Sequence, residues 1–255
     1  MPAPGELHAD PAWDAIDLLS DVHLHAAMPR TFEVWRRHLL TTPADAVLML
    51  GDLFEVWVGD DARFDGFEKA CADVLREAAA KRVLGFLPGN RDFLVGDTLL
   101  RECGVMRLQD PTLLQAWGQR LLLTHGDALC LADTAYQQFR SQVRGEEWQG
   151  QFLALPLAER QAAARAMRDA SAAHQAGMPP DQWADVDAAA AADWLAQAGT
   201  DCMVHGHTHR PAVHALPGGR RRHVLGDWDL DGPHPRALAL RLTRAGLATL
   251  DLAHA

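Results

Sequence analysis

Ala46-Val-Leu-Met-Leu-Gly-Asp52 is a five-residue apolar run that ends on a glycine and a carboxylate. A run this short, bounded by turn-forming residues, reads as a buried strand. The same construction recurs further on, where the run at 83–87 ends in Pro88-Gly-Asn-Arg-Asp92. Mostly apolar runs also occur at 16–19, 121–123, 202–204, 224–225 and 237–240. Helical patterns at 32–40 and 67–81 separate the early runs, which predicts a layered α/β fold. From His223 onward the chain reads as strand-rich and short-looped.

The segment 133–199 departs from this rhythm, with helical signals, Ala-rich stretches at 162–173 and 188–198, and no convincing strand. It is expected to be a helical insertion in a core made of 1–132 and 200–255. Within it Trp148, Phe152, Leu153, Leu155 and Leu157 form an apolar group, surrounded by Arg140, Arg144, Arg160, Arg165 and Arg168. Two readings stand side by side: an interfacial segment that meets lipid, or plain packing of the insertion onto the core.

Composition narrows the classes. With 255 residues and 48% hydrophobic content the chain buries a proper core, so a disordered or fibrous protein is excluded. A formal net charge of −10 argues against a sequence-independent nucleic-acid binder, which needs clustered cations. The expected partner is small or lipid-like; no nucleic-acid or protein partner is expected. Cys71, Cys103, Cys130 and Cys202 are far apart and read as buried free thiols. Residues 1–10 lack the basic start and apolar run of a signal peptide, and no stretch is long and apolar enough to span a bilayer, so a cytoplasmic protein is expected.

Five times a strand pattern runs straight into side chains able to hold a metal: Ser20-Asp-Val-His23, Gly51-Asp52, Gly89-Asn-Arg-Asp92, Thr124-His-Gly-Asp127 and His205-Gly-His-Thr-His209. In open α/β sheets the carboxyl ends of strands line the ligand crevice, so these groups are expected to converge. Each motif alone is weak; their joint occurrence at strand ends is not. Carboxylate, carboxamide and imidazole together suit Mn²⁺, Fe or Zn²⁺. A carboxylate such as Asp52 can bridge two cations, and two cations so placed turn a shared water into a nucleophile at neutral pH.

These motifs resemble the calcineurin-like metallophosphoesterase superfamily over nearly the whole chain. The resemblance implies a β-sandwich core flanked by helices and a pair of metals. Asp21, His23 and His207 are expected on one, Asn90, His125 and His205 on the other, with Asp52 bridging. Asp52, Asn90, Arg91 and His125 are the expected catalytic residues.

Longer stretches, Gly51 to Asp61, Gly89 to Gly96, Tyr136 to Arg140 and His205 to His214, resemble more narrowly the UDP-2,3-diacylglucosamine pyrophosphatase family of lipid A biosynthesis. That resemblance implies release of UMP and 2,3-diacylglucosamine 1-phosphate with two Mn²⁺ ions, and an insertion that covers acyl chains. It implies a lipid-linked sugar-nucleotide substrate met at the cytoplasmic face of the inner membrane, where the enzyme is peripheral. Asn90, Arg91, Asp133, Ser171 and His205 match its substrate contacts. Gln175 and Met178 stand where that family carries Asn and Lys, and Met178 cannot replace a cation. Arg165 or Arg168 is the candidate substitute, and another nucleotide diphosphate or phosphodiester remains the alternative substrate. Arg91 replaces the His of many superfamily members; a guanidinium is no general acid at neutral pH but stabilises charge on phosphate oxygens. A pyrophosphate suits that change, since its leaving phosphate needs no proton.

Asp92 and Asp127 are read either as carboxylates that orient neighbouring ligands or as plain turn residues. His25, His214, His223 and His234 are read as non-ligands, and His209 as a group behind the ligands.

Overall fold

The computed structural model describes residues 1–176 and 184–254, with 169–176 described by backbone alone. Its elements run β1 (Gly5–His8), β2 (Ala15–Leu19), α1 (Pro29–Thr41), β3 (Ala46–Leu50), α2 (Gly66–Ala79), β4 (Val83–Leu87), α3 (Asp97–Cys103), β5 (Val105–Arg107), β6 (Thr112–Ala116) and β7 (Gln119–Thr124). Then follow α4 (Thr134–Val143), α5 (Glu146–Leu153), α6 (Leu157–Ala176), α7 (Ala188–Ala198), β8 (Cys202–His205), β9 (Ala212–Ala215), β10 (Arg221–Val224), β11 (Leu238–Thr243) and β12 (Gly246–Asp251).

Two six-stranded mixed sheets, in the orders β12-β11-β2-β3-β4-β5 and β1-β6-β7-β8-β10-β9, lie face to face with helices outside. Alternate residues explain the apolar runs. Ile16, Leu18, Ala46, Leu48 and Leu50 meet Leu114, Leu121, Leu123 and Val204 between the sheets. Leu19, Val47 and Met49 point the other way, under the helices with Trp35, Leu75 and Leu99. A strand buried on both faces has no polar side to show. The polar member of β2, Asp17, is buried with Arg241 (2.7 and 2.8 Å) and the Thr42 hydroxyl (2.6 Å) as partners.

β2, β3 and β4 run parallel, as do β7 and β8, so within each sheet their carboxyl ends share one edge. The loops that leave these ends carry the motif residues.

Between β7 and β8 the described residues form four α-helices, after a single 3-10 turn at Asp127–Leu129. α7 covers the outer face of the second sheet, with Ala191, Leu195 and Ala198 on Leu122 and Met203. α5 and α6 pack on the other side, where Phe152 and Ala164 are buried and Trp148 stacks on Phe152 at 4.8 Å. Four of the five arginines turn inward: Arg140 to Asp127, Arg160 to Asp61 and the Val58 carbonyl, Arg144 to the Gly89 carbonyl, and Arg168 to Glu55, whereas Arg165 is exposed. Leu153 and Leu155 are exposed (42% and 40%). The apolar group thus divides, with Trp148, Phe152 and Leu157 packing on the core and four of its five arginines serving as ties to it. All four cysteines are buried and free. The 225–237 connection is longer than the short loops the sequence suggests, and it returns over the site, where Trp228 N donates to the Asp21 carbonyl (2.9 Å). No helix among the described residues is long and apolar enough to cross a membrane.

Candidate metal centre

Six described non-glycine residues hold a left-handed backbone: Asp21, His23, Asp52, Trp117, His207 and His209, with φ between 51 and 66°. Such a conformation costs a side-chain-bearing residue on the order of 1–3 kcal/mol. Five of the six belong to the motif loops. The surrounding hydrogen bonds hold them there: Asp21 N donates to the Gly51 carbonyl and His23 N to the Asp52 carbonyl, both at 3.0 Å. Glycines admit the close approach of one loop to the next. A Cβ on Gly206 would collide with Asp21 Oδ2 and Ser20 Oγ, and one on Gly89 with Asp52 Oδ1.

Two donor sets result. In the first, His209 Nε2 lies 3.2 Å from both Asp21 Oδ1 and His23 Nε2. In the second, Asn90 Oδ1 lies 2.9 Å from His125 Nε2 and 2.7 Å from His207 Nδ1. Asp52 stands between them, with Oδ2 at 4.0 Å from His23 Nε2 and Oδ1 at 3.6 Å from His125 Nε2.

The His205–His209 run therefore sits two residues out of its expected register. His209 stands with Asp21 and His23, His207 with Asn90 and His125, and His205 with neither. His205 ends β8 and is buried, with Arg222 on Nε2 (3.0 Å) and the Gly206 carbonyl on Nδ1 (2.8 Å). The chain must first turn at Gly206 before its imidazoles can reach the other loops.

Asp92 orients no imidazole. Its two oxygens accept four backbone N–H groups, from Asp52 (3.2 Å), Gly89 (2.8 Å), Leu53 (2.7 Å) and Phe54 (3.2 Å), and so clamp the Asp52 loop to the Asn90 loop. Asp127 takes the Tyr136 hydroxyl and Arg140 Nε, each at 2.7 Å, which ties its loop to α4. Arg91 donates its backbone N–H to Asp52 Oδ1 (2.8 Å). Asp133 caps α4 through Tyr136 N (2.9 Å). Ser171 and Gln175 fall on the backbone of α6, and Met178 lies outside the described residues. His25 binds a nearby backbone amide of its own loop, and His214 and His223 sit on β9 and β10. The sequence reading assigned nothing to Glu55, whose Oε2 is 2.9 Å from His23 Nδ1 and whose Oε1 is 2.9 Å from Arg168 Nε. Its position three residues after Asp52, in a loop already marked by a candidate ligand, was the available signal.

The electrostatics fit a bound cation. Asp21 and Asp52 are buried (0% and 2% exposed), and among the described residues their ion-pairing partners are imidazoles. Burial disfavours charge on His125, but Asp52, Asp21 and Asp127 outweigh it and hold its pKa up at about 9. Burial also opposes charge on His23, which Glu55, Asp52 and Asp21 nevertheless raise. Protons on imidazoles thus meet the negative charge that a divalent cation would otherwise meet. His207, pushed down to about 4 by burial and by His125, is neutral and able to donate a lone pair. Oxygen and imidazole nitrogen in these proportions suit a first-row divalent metal.

Residues 15–211 match the family described as calcineurin-like phosphoesterase. The chain is 42% identical over 247 residues to UDP-2,3-diacylglucosamine hydrolase of Xanthomonas campestris pv. campestris, covering 92% of this chain and 98% of that one. It is 43% identical over 222 residues to the protein of the same name in Stenotrophomonas maltophilia (strain K279a), covering 82% and 89%. With the motif loops gathered as described and a match across most of its length, the chain belongs to the calcineurin-like phosphoesterase family.

Proposed function

We propose that this protein hydrolyses the pyrophosphate bond of UDP-2,3-diacylglucosamine to UMP and 2,3-diacylglucosamine 1-phosphate, a step of lipid A biosynthesis. The catalytic machinery would be a pair of divalent cations: Asp21, His23 and His209 would hold one and Asn90, His125 and His207 the other, with Asp52 between the two sets and open to both. The observation that carries the reading is Asp52, whose two carboxylate oxygens face the two donor sets separately. The substrate is inferred from the named relatives. The mixed donor set suits Mn²⁺, Fe or Zn²⁺, and Mn²⁺ is the one that the family resemblance implies.

When bound, such a pair supplies charge neutralisation at the phosphoryl oxygens and an activated water at neutral pH. The chain's own groups do the rest. Glu55, close to His23 Nδ1, directs Nε2 of that ring into the site. The Leu50 carbonyl does the same for His125, lying 3.0 Å from its Nδ1. The Arg91 guanidinium pairs with phosphate oxygens and steadies developing charge; the leaving phosphate needs no proton from it. The helical segment, described on either side of 177–183, acts as the element that covers the lipid part of the substrate, with Asp133 among its contacts. Exposed Phe139, Leu153, Leu155 and Met167 support a peripheral position on the cytoplasmic face of the inner membrane, where such a substrate resides.

The test is UMP release from UDP-2,3-diacylglucosamine in detergent with Mn²⁺, using the parent and Asp52→Ala. Release by the parent and not by the variant is expected. No UMP from folded, metal-loaded parent would refute the substrate and redirect the reading to another nucleotide diphosphate or phosphodiester.

A further inference from the structure

His205 is level with Thr124 of β7 and Val224 of β10 and is wholly buried. Its two ring contacts allow one protonation state. A carbonyl can only accept, so Nδ1, 2.8 Å from the Gly206 carbonyl, carries the proton. A guanidinium can only donate, so Nε2, 3.0 Å from Arg222 Nη1, is the acceptor. Arg222 is 5% exposed, and its Nη2 donates to Asp185 Oδ2 at 2.8 Å. Asp185 in turn accepts from Val186 N, just ahead of α7. The chain of contacts runs from the end of the helical segment, across β10, to the end of β8.

What it reaches is the turn that presents the ligands. The Gly206 carbonyl also accepts from Thr208 N at 2.8 Å, which closes a three-residue turn with His207 at its centre and φ of 66°. That is the rarer, strained form of γ-turn, and it persists only where neighbours over-determine it. The His205 ring supplies a second donor to the same carbonyl. For Nε2 to bind a cation instead, it would have to release Arg222, whose Nε already lacks a partner among the described residues, and leave a buried guanidinium short of acceptors.

We infer that His205, backed by Arg222 and Asp185, is a positioning residue and not a metal ligand: it holds the Gly206 carbonyl and so sets the turn that sends His207 and His209 into separate donor sets. This rests on the two-cation reading above, and its test separates the two.

Metal content of the full-length protein is counted after Mn²⁺ loading, and ring ¹⁵N spectra are recorded with and without Zn²⁺, which is diamagnetic. The parent is expected to bind two ions, and His207→Ala and His209→Ala one each. His205→Asn, whose amide can still donate to the Gly206 carbonyl, keeps two. His205→Ala also saturates at two, with affinity weaker by about 10- to 100-fold. In the parent, His205 shows the Nδ1–H tautomer before and after Zn²⁺. Movement of its Nε2 signal on Zn²⁺ addition, or saturation of His205→Asn at one ion, overturns the inference. A parent that binds fewer than two ions refutes the two-cation reading instead, and the tautomer in the metal-free protein still decides the role of His205. If His205→Ala does not fold, the parent spectrum and His205→Asn decide it.

Discussion

Gly89→Ala is a small change with a large expected effect. Gly89 does not have a positive φ, so alanine fits its torsion angles and the cost is one of contact alone. The added Cβ would overlap Asp52 Oδ1 and N, and would lie 2.9 Å from Asp52 Cγ. Restoring ordinary contact requires the Asn90 and Asp52 loops to part by roughly 1 Å. A misplacement of that size costs about 10²-fold in rate, or about 2.7 kcal/mol of transition-state stabilisation. It also moves Asn90 away from the Asp52 carboxylate, so one of the two expected ions should bind more weakly. The assay is kcat/KM for UMP release at saturating Mn²⁺, with metal content measured on the same sample. Gly150→Ala in α5 is the control: its Cβ would meet nothing within 4 Å, and alanine should add about 0.5–1 kcal/mol of stability without affecting turnover. Gly89→Ala activity within about threefold of the parent, with two ions bound, would refute the reasoning.

Asp92→Asn turns an amide N–H₂ toward two of the four backbone donors that the carboxylate now accepts. Loss of two bonds to a charged acceptor, partly offset because burial and Asp52 already push the carboxyl up to about 6, should destabilise the metal-free fold by about 2 kcal/mol; an unchanged urea midpoint would argue against the clamp. Glu55→Ala frees the His23 ring and should weaken metal binding by about 10- to 100-fold, measurable by calorimetric titration and contradicted by an unaltered affinity. The metal-free protein should also show two pH limbs. His125, raised from 6.5 to about 9, contributes stability that is full below pH 6.5 and lost as pH rises through 9. His207 and His205, lowered from 6.5 to about 4 and about 3, contribute above pH 6.5 and lose that share as pH falls toward those values. Their combined contribution peaks near pH 6.5, and Mn²⁺, which replaces the proton on His125, should flatten the alkaline limb in scanning calorimetry. An alkaline limb unchanged at saturating Mn²⁺ would disprove the assignment.

Much of this protein is legible in its sequence because the core strands are buried on both faces. Burial writes itself locally, as the mostly apolar runs of β2, β3, β4, β7 and β8, and the polar residues that follow those runs fall at the strand ends where the site forms. The edge strands β1 and β9 show no such run, since Glu6, His8, Ala212 and Val213 lie against solvent on the rim of a sheet. Nor does any local pattern divide the twelve strands into two sheets, because that partition depends on pairings such as β1 with β6 and β2 with β11. The register of the candidate ligands is the sharpest case. His205, His207 and His209 are equivalent in a period-two string, and nothing within it selects two of the three. Arg222, brought beside β8 by the pairing of β10, takes His205; the turn at Gly206, packed against Asp21, delivers the other two. The sequence by itself determined which residue types meet and at which strand ends, because apolar burial is a local signal. Which of their atoms face one another was decided by tertiary structure, because loop conformation depends on hydrogen bonds between residues far apart in the chain.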